Sequence, residues 1–527
     1  MRKRRLYIIL SLVFILFIAA CSNDKQSSHE GHDMKGMEDT TERESKISKS
    51  TSEKSDVITK KDFTITANEQ SLKINDDTTL PVWTFNGSVP GSEIRVTEGE
   101  KLTINLKNEL PDPVTIHWHG VPVPNEMDGI PGVTMNAVQP GETFTYKFTA
   151  GVPGTYWYHS HQDGVNQVDK GLYGAFIVKP KGNKGMPDRD YTLLLDEWMS
   201  SRGSMEDMDH SEAVNHDKKE DKEDHSDMSE GEGMDMGHSM SMYDLYTING
   251  KSGYLIEPLK VKKGEKVRLR LINAGFMSHK IHLHGHEFKV VSTDGQPINN
   301  PASIHGQMIS IAPGERYDIE FIADNPGKWL LESHGDNNAL TGMKTYIQYE
   351  AAEEDSDKSN NTEDLPVLNI TKYGEQNNSQ FSLRQNYDSE YIMDLNSDMR
   401  DTGIVYTING NVWPKTDKIK VEKGDLVKVK LVNKSKEDDH PMHLHGHFFQ
   451  ILSKNDKPVS GSPIMKDTLS LKPGDEYIVA FEADNPGNWM FHCHDLHHAS
   501  AGMVTQVNYK NYETEFVADR DAGNKPE

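Results

Sequence analysis

From about Phe63 onward, apolar and polar residues alternate over short runs broken by Gly and Pro. After the turn Lys263-Gly264-Glu265, the apolar positions are Val267, Leu269 and Leu271, with charged residues between them. Lys423-Gly424-Asp425 leads in the same way into Val427, Val429 and Leu431, and Glu98-Gly99-Glu100 into Leu102, Ile104 and Leu106. Side chains two apart on a strand share a face, so each run reads as a strand with one buried and one wet face. No long helix is predicted.

These runs belong to a larger repeat. YTING stands at 246–250 and again at 406–410, and HLHGHEF at 282–288 matches HLHGHFF at 443–449. ADNPG at 323–327 returns at 483–487, with Trp329 and Trp489 two residues beyond each copy. Pro140-Gly-Glu, Pro313-Gly-Glu and Pro473-Gly-Asp mark an earlier, more distant copy. Three copies of a strand-rich unit predict an all-β chain of three consecutive Greek-key β-sandwich domains, at 58–180, 188–350 and 364–510, with a tail at 511–527. A length of 527 residues suits three domains of roughly 150 residues.

Composition adds the flanking segments. The basic start Met1 to Arg5, the apolar run Leu6–Phe17 and the ending Ile18-Ala-Ala-Cys21 form a secretory signal over 1–21. The ending resembles a bacterial lipobox, which implies a lipid on Cys21 and a place on the outer face of the cytoplasmic membrane. Residues 22–57 are polar and are expected to be a disordered tether. A second polar segment, 203–242, interrupts the second domain. It carries Met205, Met208, Met228, Met234, Met236, Met240 and Met242 with His210, His216, His225 and His238. Thioethers are soft ligands that favour Cu(I), so the segment reads as copper recruitment rather than as a merely solvated loop. The net charge of -25 argues against a nucleic-acid partner. If Cys21 carries lipid, Cys493 is the one remaining thiol, and no intrachain disulfide is possible.

Histidine concentrates in four places: His117-Trp-His119, His159-Ser-His161, His440-Pro-Met-His443-Leu-His445 and His492-Cys-His494-Asp-Leu-His-His498. A His-X-His pair on a strand aims two imidazoles in one direction. Four pairs, two from the first domain and two from the third, supply eight imidazoles to one interface. That number suits three coppers, and the absence of carboxylates from the pattern argues against manganese or a non-haem iron triad. Cys493 lies between two of these histidines and so faces away from both. With His440 and His498 it makes a trigonal set, and Met503 sits where a weak axial thioether belongs.

On these motifs the chain resembles the multicopper oxidase family of laccases, copper-efflux oxidases and ferroxidases, over nearly all of 58–510. The resemblance implies cupredoxin-like domains and four copper ions per chain. By motif match, His440, Cys493, His498 and Met503 would hold the type 1 copper, and His117 and His443 the type 2 copper. His119, His159 and His494 would hold one type 3 copper, and His161, His445 and His492 the other. Asp128, in Met-Asp-Gly-Ile-Pro, matches an aspartate that bonds near the type 2 site and assists proton supply. Ala499 departs from the pattern, because bacterial laccases often carry an acidic residue there. The second domain keeps His279, His282 and His284 but has Ser333 and Asn338 where the third has Cys493 and His498. Those histidines are expected to be remnants satisfied by hydrogen bonds.

The expected activity is one-electron oxidation of Cu(I), with phenols, aromatic amines and Fe(II) as further substrates, coupled to four-electron reduction of O2 to water. Its expected setting is copper tolerance, in a monomer. General laccase action and a non-catalytic surface copper buffer are the alternatives. A copper nitrite reductase would not need all four His-X-His pairs.

Overall fold

Backbone alternation turns directly into sheet. The computed structural model describes residues 50–51, 56–182, 185–200, 243–334, 342–350, 365–401 and 403–527, all within one unit, Lys49–Glu527. The signal segment, most of the tether and the Met/His segment 203–242 lie outside the described residues. Ser50–Thr51 pairs in parallel with Ser71 and Leu72, so strand structure begins inside the segment expected to be a tether. Such pairing uses backbone groups and needs no apolar side chain.

Strand Leu426–Asn433 alternates strictly between partly and fully buried positions, with Val427, Val429 and Leu431 inside. Its counterparts Lys101–Asn108 and Lys266–Asn273 bury Leu102, Ile104 and Leu106, and Val267, Leu269 and Leu271. Each such side chain contributes roughly 1.5–3 kcal/mol over its exposed state. All three strands have equivalent neighbours. One neighbour is parallel, through Phe63↔Ile104, Tyr191↔Leu269 and Tyr391↔Val429. The other is antiparallel, through Ile104↔Tyr146, Leu269↔Ile319 and Val429↔Val479. Mixed pairing of this kind separates a Greek key from a simple meander.

Among the described residues six sheets result, and they close on three apolar cores. Ile104 and Phe176 meet in the first, Leu269 and Ile281 in the second, and Val429 and Phe491 in the third, each pair bridging two sheets. A further buried cluster, with Trp157, Tyr173, Trp198 and Phe276, joins the first core region to the second.

The repeated motifs have repeated jobs. In both YTING copies the Asn and Gly have positive φ, at Asn249, Gly250, Asn409 and Gly410, as a tight hairpin turn demands. The second HLHG copy ends at Gly446 (φ 69°), where an added Cβ would strike the Trp489 ring. The Trp489 indole in turn donates to Asn485 O at 2.7 Å, and Asn485 Nδ2 donates to Gly446 O at 3.2 Å. HLHG and ADNPG-X-Trp are therefore two halves of one lock. It is repeated by Gly285, Trp329 and Asn325.

Candidate metal centres

Three of the four histidine pairs sit at strand ends, and His117-Trp-His119 lies outside the named strands, with His117 in an isolated bridge to His159. His159 closes strand Gly154–His159, and His161 lies beyond it. Strand His440–Leu444 ends just before His445, and strand Asn488–Cys493 just before His494. Two backbone pairings set their register. His443 lies opposite His492, and His117 and His159 exchange backbone hydrogen bonds at 2.8 and 3.1 Å. Ending the strands there leaves the rings free to converge instead of lying flat along a sheet.

They converge as three groups: His117, His119 and His443; His119, His159 and His494; and His161, His445 and His492. Within each group the donor atoms lie within 4.8 Å of one another, and every member is buried. The last two groups are the two type 3 sets read from the sequence. The first contains the type 2 pair, with His119 within reach of both.

The tautomers suit a metal. His117 Nδ1 donates to Asp128 O at 2.9 Å and His443 Nδ1 to Asp467 O at 3.0 Å. His159 Nδ1 donates to Ser160 O, His161 Nδ1 to Pro526 O and His492 Nδ1 to Cys493 O. With one ring nitrogen tied in this way, the other is left with its lone pair. Nε2 of His117, His159, His161 and His443, Nδ1 of His119 and both nitrogens of His494 find no hydrogen-bond partner among the described residues. His445 and His492 point Nε2 at each other across 3.0 Å. Burial first, then the neighbouring imidazoles, hold His119, His159, His445, His492 and His494 well below the ordinary histidine value. Neutral rings with bare, convergent lone pairs are what copper ligation requires.

Carboxylates hold these rings from behind. Asp128 Oδ2 takes a hydrogen bond from His445 Nδ1 at 3.0 Å, while its Oδ1 lies 3.2 Å from His117 Nδ1. Asp128 therefore braces one ring in each of two different histidine groups. Asp467 was not foreseen. Its Oδ1 lies 3.3 Å from His119 Nε2 and 3.5 Å from His443 Nδ1. Burial raises its carboxyl, but the Arg316 guanidinium, donating at 2.7 and 2.6 Å, outweighs that and keeps it ionised. Gly120 (φ 78°) leaves room for this pair, since a Cβ there would collide with both Arg316 and Asp467.

The segment expected to be a plain tail also reaches the site. Gln162 Nε2 donates to Gly523 O, Asp163 N to Lys525 O and Gln139 Nε2 to Ala522 O. The Glu527 side chain is buried, with Oε1 3.2 Å from His492 Nδ1 and 3.4 Å from His161 Nε2. Burial pushes its carboxyl well above the usual range. No spacing signal marks this segment, because most of its anchors are backbone groups.

On the opposite side of the same strand, Cys493 Sγ lies 3.6 Å from His498 Nδ1 and 3.8 Å from His440 Nδ1. His440 is oriented by Ser435 Oγ on Nε2 at 2.8 Å, and His498 by the Tyr406 ring stacked on it at 3.8 Å. Met503 is fully buried in the same apolar cluster as Cys493, and its backbone bonds both Cys493 and His498. Burial raises the Cys493 thiol and lowers His440 to about 2 and His498 to about 4. A copper charge is what would hold this sulfur as a thiolate.

Asp495 caps the short helix Leu496–Ser500, accepting from His497 N at 3.0 Å, and lies 3.4 Å from His498 Nε2. Burial raises it to about 6. Ala499 packs with Ile130, Met490 and Val504, so an apolar wall occupies the departing position. His497 faces the Phe276 ring instead. In the second sandwich, His279 is satisfied by Glu197 and Ser333, and His284 by Glu332 at 2.9 Å. His282 differs from expectation, because its Nδ1 is buried without a hydrogen-bond partner among the described residues.

Comparison with known proteins agrees with this geometry. Family profiles described as multicopper oxidase match residues 66–183, 220–353 and 381–513. The chain is 31% identical over 437 residues to multicopper oxidase MmcO of Mycobacterium tuberculosis, covering 81% of this chain and 82% of that one. It is 27% identical to Laccase-1 of Botryotinia fuckeliana, covering 82% and 79%. Its fold matches the solved multicopper oxidase from Campylobacter jejuni, a metallo-oxidase, with a TM-score of 0.64 at 24% identity, covering 88% and 94%. Sandwiches in series, three convergent histidine groups and these likenesses lead to one conclusion: the chain belongs to the multicopper oxidase family.

Proposed function

We propose that this multicopper oxidase takes single electrons from Cu(I) at the Cys493 side and delivers them to dioxygen at the histidine groups. The observation that carries the reading is the back-to-back placement of the two centres. Cys493 faces His440 and His498, while its chain neighbours His492 and His494 belong to two separate groups behind it. When bound, copper would supply the one-electron chemistry that turns four substrate oxidations into reduction of O2 to two waters. The type 1 set is His440, Cys493, His498 and Met503. The type 2 pair is His117 and His443, and the remaining six histidines form the type 3 sets, for four coppers per chain. The protein's own residues provide a short covalent path between centres, neutral imidazoles of fixed tautomer, and burial that keeps bulk water out. Asp128 and Asp467 hold the rings, and Asp128 is placed to pass protons toward the site.

Cu(I) as substrate rests on the seven methionines and four histidines of 203–242, a soft-ligand supply next to an oxidase. The relatives include a laccase, so phenols form the competing class. Deleting 203–242 separates them. Turnover of Cu(I) should fall several-fold more than turnover of a phenol, and equal losses would reassign the enzyme to general laccase action. Export and a lipid on Cys21 complete the proposal and place the enzyme where copper first meets the cell.

A further inference from the structure

The second sandwich repeats half of the oxygen site. His282 lies opposite Glu332 and Ile281 opposite Ser333, as His443 lies opposite His492 and Met442 opposite Cys493. Residues two apart share a face. His282, His284, Glu332 and His334 thus occupy the positions that His443, His445, His492 and His494 hold in the third sandwich.

The four side chains gather. His282, His284 and His334 each offer a donor within 4.8 Å of the others. Ring centroids are 4.1 Å apart for His282 and His284, and 5.3 Å for His282 and His334. Glu332 Oε1 lies 2.9 Å from His284 Nε2 and 3.5 Å from His334 Nε2. Two nitrogens, His282 Nδ1 and His334 Nε2, are buried with no hydrogen-bond partner among the described residues. A packed remnant would have had its polar atoms satisfied or exposed.

We propose that His282, His284, His334 and Glu332 form a further metal site that takes Cu(II) from solution. Three imidazoles and one carboxylate suit a divalent ion of the later first row, and copper heads the affinity order. Burial, then His284 and His334, lowers His282 to about 4. Burial raises the Glu332 carboxyl, but the adjacent His284 and His334 outweigh it and hold it at about 2. Unlike the fully buried oxygen site, this one is reachable, since the His334 and Glu332 side chains are 19% and 24% exposed. With serine in place of the thiolate, the site holds an ion without the sulfur path that wires Cys493.

The test is independent of the oxidase reading. Protein loaded with Cu(II) and gel-filtered should carry one copper more per chain than H282Q/H334Q treated identically, with the same blue absorbance in both. Equal copper contents would overturn the site. In the wild-type full chain, bound Cu(II) should protect His334 from diethyl pyrocarbonate, read by peptide mass spectrometry. Unchanged labelling would overturn it without reliance on any variant.

Discussion

Asp128 shows how much one side chain does at the residue scale. Its carbonyl and carboxylate together hold His117 and His445, which belong to different histidine groups. Outer-sphere partners of this kind are typically worth 10–100-fold in metal affinity or activity. Asp128→Asn keeps the shape and removes the charge. Oxygen consumption should fall by about 10–100-fold, while the blue absorbance at Cys493 persists. Unchanged turnover would remove Asp128 from the site. The ligands were legible because a fixed spacing of two carries their geometry, and Asp128 was legible through a motif. Asp467 and Arg316 were not. They meet across 151 residues, and no local pattern announces a buried carboxylate that braces two imidazoles.

At the scale of elements, the same logic separates what patterning tells from what it hides. Alternation at 427, 429 and 431 maps onto buried positions because one sheet face must leave water. Alternation cannot say where a strand stops, and the histidine pairs depend on stopping. Nor does polar composition reveal that 522–527 docks beside His161, because carbonyls of any residue type make those bonds. One link between the second and third sandwiches, Arg316 to Asp467, is fully buried. Arg316→Leu would leave the Asp467 charge uncompensated, at a cost of about 3–5 kcal/mol. His119 and His443 would lose their brace. Urea unfolding should show the loss together with reduced copper content. A variant of wild-type stability and full copper content would show that the pair is incidental.

The whole molecule stores a cluster of depressed histidines. In the unfolded chain these titrate near the ordinary 6.5, whereas folded His161 lies at about 3 and His498 at about 4, chiefly through burial. As pH falls below 6.5 the unfolded chain takes up protons first, so acid destabilises the copper-free fold until the folded values are reached. Each such group contributes roughly 1.4 kcal/mol per pH unit across that window. Asp495, raised to about 6, works in the opposite direction, as do Asp196, Glu315 and Glu527, but the depressed histidines outnumber them. The melting temperature of copper-free protein should therefore drop between pH 7 and pH 5, and bound copper should suppress the drop. A flat profile would mean that the rings are not buried as neutral imidazoles.

The central claim is that a thiolate centre and an oxygen centre are built on the two sides of one strand end and act together. It is tested most directly by counting electrons in copper-loaded protein, as substrate oxidised per dioxygen consumed. The account predicts four, with no hydrogen peroxide released. A ratio of two with accumulating peroxide would contradict it.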